Sequence, residues 1–337
     1  VTDKPRCVAS PTPTFAHPMA QYHDLMRRCL EDGEPVKNER TGEICHTLVG
    51  EQLKFDMRDG FPAITTKKLA FKTMVGELLG ILRGATSAAE FRELGCKVWD
   101  GNANETRAWL DNPHRKGLDD IGRSYGAQWT DWTDLRVAAS EMDFHDLKQK
   151  GFQQVGVDSP DLWQPKAIMR RGINQVEEAL HTILANPTDR RIVINGWRPD
   201  EHDRTALPVC HMVYTFVPNV QLKRLDLVMH QRSWDTFLAF NIPMTALFLH
   251  IMSRLSGYEP GIVTMQVANA HVYESHAPQV TTQLAREHYP QPKLLIADRL
   301  QPVSPAQVKD IFQSIEPADF ALQGYLHHPA LTARMAT

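Results

Sequence analysis

Five cysteines in 337 residues, with no CxxC pair among them, leave no basis for a disulfide framework or a thiolate metal site. Cys7, Cys29, Cys45, Cys96 and Cys210 are scattered, and an odd, scattered set fits a reducing compartment. Positive charge is not in excess either. Thirty-seven Lys and Arg against 40 Asp and Glu give a net charge of -3, so no overall basic field points to nucleic acid, and any anion site must be local. No apolar run approaches the length of a membrane span. The N-terminus is polar and proline-rich and lacks the apolar core of a secretory signal. No internal repeat is visible. These absences predict a cytoplasmic protein with neither membrane anchor nor metal.

What is present is enough chain for a large core. Residues 1–18 hold four prolines and little periodicity, which predicts a flexible arm. Helices are expected over Ala20–Leu30, Thr73–Leu82, Ser87–Leu94, Ile173–Leu184, Met244–Leu255 (after Pro243) and Ala277–Glu287. Strands are expected over Thr47–Phe55, Arg191–Trp197, Met212–Val217, Leu225–Met229 and Val263–Val267. Residues 130–172 are charged and glutamine-rich and read as a surface insertion, partly helical. Helices and strands mix without regular alternation, so the fold class is α+β rather than a doubly wound sheet.

The segment Ala-Leu-Pro-Val-Cys-His (206–211) lies between two strand-like runs, and Gln231-Arg232-Ser233-Trp234-Asp235 follows about twenty residues later. A cysteine nucleophile needs nearby positive charge, and Arg232 and the pair Arg190-Arg191 are the available cations. A buried structural cysteine is the commoner use of such a residue. His211 adjoins Cys210, but neighbours on a strand face opposite ways. Arginines at a strand entry are usually only exposed; their other use is bidentate capture of phosphate. Glu77 stands inside an apolar helix, where a carboxylate either points outward or is a buried acid suited to moving protons. Asn241 is a turn residue or an amide able to read a pyrimidine edge. His271 and Tyr273, two apart, share one strand face and are either half-buried sheet residues or hydroxyl-binding groups.

These segments together resemble the thymidylate synthase family, from about Gln21 onward. The matching blocks are Lys-Asn-Glu-Arg-Thr-Gly (37–42), Asp-Gly-Phe-Pro-Ala-Ile-Thr-Thr-Lys (59–67), Glu77-Leu78-Leu79, Val98-Trp99-Asp100, Ser-Tyr-Gly-Ala-Gln-Trp (124–129), Asp189-Arg190-Arg191-Ile192, Leu-Pro-Val-Cys-His (207–211), Gln231-Arg232-Ser233 with Asp235, Phe240-Asn241-Ile242 and His271-Val272-Tyr273. Each is weak alone; their order is not. The resemblance implies a large mixed sheet with helices packed on it, one sheet face forming a homodimer interface, and a catalytic domain over residues 19–337. It implies transfer of a one-carbon unit from 5,10-methylenetetrahydrofolate to C5 of a pyrimidine deoxynucleotide, with Cys210 adding to C6. By the same resemblance Arg40, Gln231, Arg232 and Ser233 would hold the nucleotide, and Arg190 and Arg191 would reach its phosphate from the partner chain. Asn241 would read the base, His271 and Tyr273 would bind the sugar hydroxyl, and Glu77 and Tyr125 would manage protons. Asp235, Trp99, Asn102 and Lys67 would line the folate site.

The chain departs from the family's pattern near the pocket. Leu238-Ala239-Phe240-Asn241 is two residues shorter than the usual Leu-Gly-Val-Pro-Phe-Asn; Asn102 replaces a second tryptophan; Val209 replaces the proline before the cysteine; Val267-Ala268-Asn269 replaces Gly-Gly-Asp. These changes bear on whether the C5 methylene is reduced to methyl or captured by water as hydroxymethyl, and on dUMP against dCMP as acceptor. Methylation of dUMP is favoured, since Trp99, Asp235 and a family-length tail ending Met335-Ala336-Thr337 suit a dry site. Two other classes compete. A catalytically dead, RNA-binding relative would leave Cys210, Arg232 and Asn241 without use, and the chain lacks a basic surface. A papain-like thiol hydrolase needs a Cys/His ion pair that adjacent strand residues cannot form.

Overall fold

A mixed sheet organises the chain in a computed structural model that describes residues 17–39, 42–158 and 166–333, and it has seven strands among those residues. Its order is Glu34–Lys37, Ile44–Asp56, Glu259–Tyr273, Arg224–Gln231, His211–Asn219 and Val193–Asn195, with the short strand Trp234–Asp235 also paired to Glu259–Tyr273. Glu259–Tyr273 runs parallel to Arg224–Gln231 and to Trp234–Asp235, while the other pairings are antiparallel. The α+β expectation, a large mixed sheet with helices on it, is met. The proposed arm at 1–18 lies outside the described residues except for His17 and Pro18.

Alternation along Arg224–Gln231 turns Leu225, Leu227, Met229 and Gln231 inward. The helix Asn241–Ser256 packs on that strand and on Glu259–Tyr273, and Ala20–Asp32 packs on Ile44–Asp56. Phe71–Leu82 lies against Asn241–Ser256 and is buried at every position from Met74 to Leu82, so it is apolar all round apart from Glu77. An aromatic knot ties these layers together. Trp129 stacks on Phe248 with ring centroids 5.4 Å apart, and Tyr214 and Phe216 meet Phe248 edge-on at 5.5 and 5.3 Å. Truncating Phe248 would remove about 3–5 kcal/mol.

Four elements differ from the sequence expectations. The helix expected from Met244 begins at Asn241 and takes Pro243 into its first turn, where a missing N–H leaves no bond unmade. Asn241 is therefore helical, not a turn residue before a helix. The strand expected over Arg191–Trp197 shrinks to Val193–Asn195, because the Arg191 amide and side chain turn back to Asp189. The strand expected over Val263–Val267 runs to fifteen residues, Glu259–Tyr273, and carries His271 and Tyr273 at its end. The described residues between 132 and 173 include three antiparallel strands, ordered Trp132–Ala138, Lys166–Ile173, Gln153–Asp158, and one helix, Glu141–Gln149. This unit has its own small apolar cluster of Ala138, Phe152 and Met169, apart from the main core.

Three histidine rings fasten the first helix to the chain's distal end. His288 stacks on His17 at 4.5 Å and packs against His23 at 4.2 Å. His17 bonds Tyr289 O at 3.1 Å, and His23 bonds Thr66 Oγ1 at 2.9 Å. Burial holds all three below the ordinary histidine value, and repulsion from neighbouring histidines adds to it at His23, held at about 3, and His288, at about 4. A depressed folded pKa means that the unfolded chain takes up protons which the folded chain refuses. Stability is therefore intact above pH 6.5 and is lost as pH falls towards 4. We predict that His288→Phe, which keeps the stacked plane, makes this acid loss shallower in thermal melts between pH 7 and 5. An unchanged slope would show that the stack does not govern it.

Candidate active site

Several strand ends converge at one end of the sheet. Cys210 directly precedes His211–Asn219, whose first residue pairs with Gln231, the last of Arg224–Gln231. Asp235 pairs with His271 near the end of the long strand. The backbone N–H of Arg232 donates to Cys210 O at 3.0 Å, closing the two strand ends on each other.

The backbone around Cys210 is held from two sides. The Arg232 guanidinium donates to Val209 O at 2.8 Å and Pro208 O at 2.9 Å, and its plane sits 5.4 Å from the Trp197 ring. From the other side, Tyr125 Oη accepts from the backbone N–H of Cys210 at 2.6 Å and of His211 at 3.3 Å. Cys210 itself is only half-buried, while Tyr125 and His211 are buried. His211 spends both ring nitrogens elsewhere: Nδ1 lies 2.8 Å from Tyr214 Oη and Nε2 lies 2.5 Å from Asn241 Nδ2. A Cys/His ion pair of the hydrolase type therefore has no nitrogen to use. The shortened turn before Asn241 is closed by Ala239 in the left-handed region, φ 41°, a conformation that disfavours any residue with a Cβ.

Beside this stands a buried acid. Glu77 projects from the apolar helix, and burial pushes its carboxyl up to about 7. The indole N–H of Trp99 is near enough to favour the ionised form, yet it makes no hydrogen bond of ordinary geometry. Trp99 packs between Phe91, at 5.8 Å, and Tyr125, at 6.0 Å. Burial raises the Tyr125 phenol well above its ordinary value. Asn102 is buried one turn after Trp99, on the short helix Asp100–Asn104.

A second group of side chains surrounds Asp235. Its Oδ1 accepts from Phe237 N at 3.0 Å, and its Oδ2 lies 3.0 Å from His276 Nδ1, close enough for an ion pair but off the axis of a hydrogen bond. His271 bonds Asn269 Oδ1 at 2.8 Å and meets Tyr273 edge-on at 5.1 Å. Lys67 is buried with its ammonium on the Phe237 carbonyl and 3.5 Å from the Phe237 ring centroid. Burial pulls it down to about 7, and the Asp235 charge works against that fall.

Gln231 donates to Ser233 O at 2.9 Å and keeps a buried Oε1 without a partner. Arg190 and Arg191 stand apart: both are exposed, and Arg191 pairs with Asp189 at 3.0 Å. Arg40 lies outside the described residues. No group of three or more His, Cys, Asp or Glu side chains arranged to hold a metal occurs among the described residues. Sequence reasoning missed Tyr214, Trp197 and His276. His276 follows Tyr273 by three residues and could have been sought as a partner for Asp235. Tyr214 gave no signal, because i and i+3 on a regular strand face opposite ways.

The family described as Thymidylate synthase matches residues 20–337. A thymidylate synthase of Pseudomonas syringae pv. tomato is 42% identical over 328 residues, covering 94% of this chain and 100% of that protein. One from Pseudomonas putida is 43% identical over 328 residues with the same coverage. One from Tolumonas auensis is 35% identical over 317 residues, covering 93% of this chain and 98% of its own length.

The buried Glu77 carboxyl makes a stability prediction. Its folded pKa of about 7 lies above its ordinary 4.5, so the folded state holds the proton that the unfolded chain releases. The advantage of that proton is full below pH 4.5 and is lost as pH rises through 7. Glu77→Gln removes the charge altogether. We expect the variant to gain on the native protein as pH goes from 5 to 8, by on the order of 3 kcal/mol at most. A gap in denaturant midpoints that stays constant across this range would show that the carboxyl is not desolvated.

Proposed function

Since the chain belongs to the thymidylate synthase family, we propose that it carries a one-carbon unit from 5,10-methylenetetrahydrofolate to C5 of dUMP and releases dTMP and dihydrofolate. The observation that most supports this reading is the half-buried Cys210, its backbone gripped between Tyr125 and Arg232, with the Asn241 amide against the neighbouring His211. Cys210 Sγ adds to C6 of the uracil ring, which makes C5 nucleophilic towards the methylene carbon. Loss of the C5 proton then expels the tetrahydrofolate amine and leaves an exocyclic methylene. The folate supplies that carbon and afterwards the hydride that reduces it to methyl, and Cys210 leaves with its electron pair. Glu77 and Tyr125 handle the protons; a carboxyl poised near neutrality can both take and give one.

Arg232, Ser233 and Gln231 hold the nucleotide, together with Arg40. Asn241 reads N3 and O4 of the base, and His271 with Tyr273 binds the sugar hydroxyl. Asp235, Trp99, Asn102 and Lys67 line the folate side, and the buried, unpartnered Gln231 Oε1 suits a polar group of the nucleotide. Trp99, packed between Phe91 and Tyr125, favours hydride over water and so methyl over hydroxymethyl. The exposed Arg190 and Arg191 fit a homodimer formed through the sheet's open face, in which each chain completes its partner's phosphate site. Cys29, Cys45 and Cys96, all free thiols, suit the cytoplasm.

With dUMP and methylenetetrahydrofolate, dihydrofolate should form in step with dTMP. A hydroxymethyl product without dihydrofolate would replace this reading by a hydroxymethylase. Cys210→Ala should bind dUMP without turnover, and a 5-fluoro-dUMP adduct should map to Cys210 and to no other cysteine. Mixing inactive Cys210→Ala and Arg190→Ala chains should restore about a quarter of native activity if hybrid dimers form at random and sites are shared. An active monomer in sedimentation would defeat the shared-site proposal.

A further inference from the structure

His211 and Tyr214 are three apart on a strand, yet both are buried on the same side. A register shift between His211 and Val213 turns the chain by one residue and brings the two side chains together. Tyr214 Oη then lies 2.8 Å from His211 Nδ1, and His211 Nε2 lies 2.5 Å from Asn241 Nδ2. One turn along the helix from Asn241, Thr245 Oγ1 donates to the Asn241 backbone carbonyl at 2.8 Å. The Thr245 hydroxyl is near enough to Tyr214 to offset part of the rise that burial gives its phenol, yet no hydrogen bond of ordinary geometry joins the two. Trp129 and Phe248 pack against Tyr214 at 5.0 and 5.5 Å.

Asn241, His211 and Tyr214 form a chain of bonds, and its direction can be worked out. An amide nitrogen only donates, so one Asn241 Nδ2–H goes to His211 Nε2, which is bare. The proton of the neutral ring then sits on Nδ1 and is donated to Tyr214 Oη. The Tyr214 oxygen is the acceptor at the end of the chain, and its own proton points away from His211. Burial keeps His211 neutral, its pKa lowered to about 4, so only one of its nitrogens carries a proton.

We infer that Tyr214 is a positioning residue which, through His211, fixes the face of the Asn241 amide and so sets uracil over cytosine. This rests on the reading that Asn241 meets the pyrimidine edge. With Nδ2 turned to His211, the free edge of the amide offers Oδ1 as acceptor and the second Nδ2–H as donor. Uracil supplies the complement, a donor at N3 and an acceptor at O4. Cytosine presents the reverse and would require the amide to turn over. That would set Oδ1 against the bare Nε2. Relief would need the other histidine tautomer and a reversed Tyr214 hydroxyl.

Tyr214→Phe keeps the packed ring and removes only the hydroxyl. Side-chain nitrogen NMR of the nucleotide-free protein should show His211 as the Nδ1–H tautomer, and the variant should move towards Nε2–H. The ratio of kcat/KM for dUMP over dCMP should fall about tenfold, the worth of one buried hydrogen bond, while the melting temperature changes little. A native Nε2–H tautomer, or unchanged tautomer and selectivity in Tyr214→Phe, would overturn the chain of bonds. A native protein that binds neither nucleotide would overturn the pyrimidine reading, and the tautomer measurement would still decide the direction of the chain.

Discussion

One phenol oxygen, that of Tyr125, accepts backbone N–H bonds from both Cys210 and His211. Much of the site's geometry depends on that pair of bonds. They hold the start of the strand His211–Asn219 against the helix Tyr125–Thr130, and Arg232 holds the preceding carbonyls from the opposite side. The order of this segment is built into folding, through bonds whose donors and acceptors would otherwise be buried and unmade. The same clamp positions the His211 ring, and with it the Asn241 amide.

The site also contains groups that a fold selected for stability alone would not keep. Glu77 and Lys67 are both buried, and burial drives each towards neutrality from opposite sides, the acid up to about 7 and the amine down to about 7. Each is therefore held near its charged-to-neutral midpoint at physiological pH. Ala239 adds a strained backbone at the turn that leads into Asn241. The surrounding core compensates. The helix that carries Glu77 is otherwise buried and apolar from Met74 to Leu82, and the Trp129–Phe248–Tyr214 knot closes the layer behind His211. Destabilising groups at the pocket and dense apolar packing just behind it belong to one arrangement.

What was legible in the sequence followed from local chemistry. Alternation along residues 225–229 and apolar periodicity along 73–82 predicted elements that the fold contains, because burial on one face or all round leaves a pattern in the chain itself. The blocks around Cys210, Arg232 and Asn241 disclosed the family because each needs particular residue types in order. What stayed hidden depends on register. The fifteen-residue strand Glu259–Tyr273 is fixed by pairing on both edges, which no single segment encodes. The helix at 241–256 starts early because Pro243 suits a first turn, where sequence reading took proline as the boundary. Tyr214 was invisible because a bulge, not a periodic pattern, brings it to His211. In the 132–173 unit, Leu135, Val137, Val155 and Val157 are exposed, so their apolar character did not mark a core face.

The distal end of the chain enters the same arrangement through one segment. Tyr325 Oη donates to Ile64 O at 2.7 Å and accepts from Leu69 N at 2.8 Å, and His328 N donates to Thr65 O at 2.8 Å. Arg286 bridges Thr66 O and Pro329 O, each at 2.8 Å. Residues 64–69 are thus gripped by the tail on one side. On the other, Lys67 reaches across to the Phe237 carbonyl, two residues from Asp235, whose own carboxylate accepts from Phe237 N. The bonds form an unbroken path from the tail through Lys67 to Asp235. Lys67 thus ties the segment gripped by the tail to the turn after Asp235 through a buried bond to the Phe237 carbonyl.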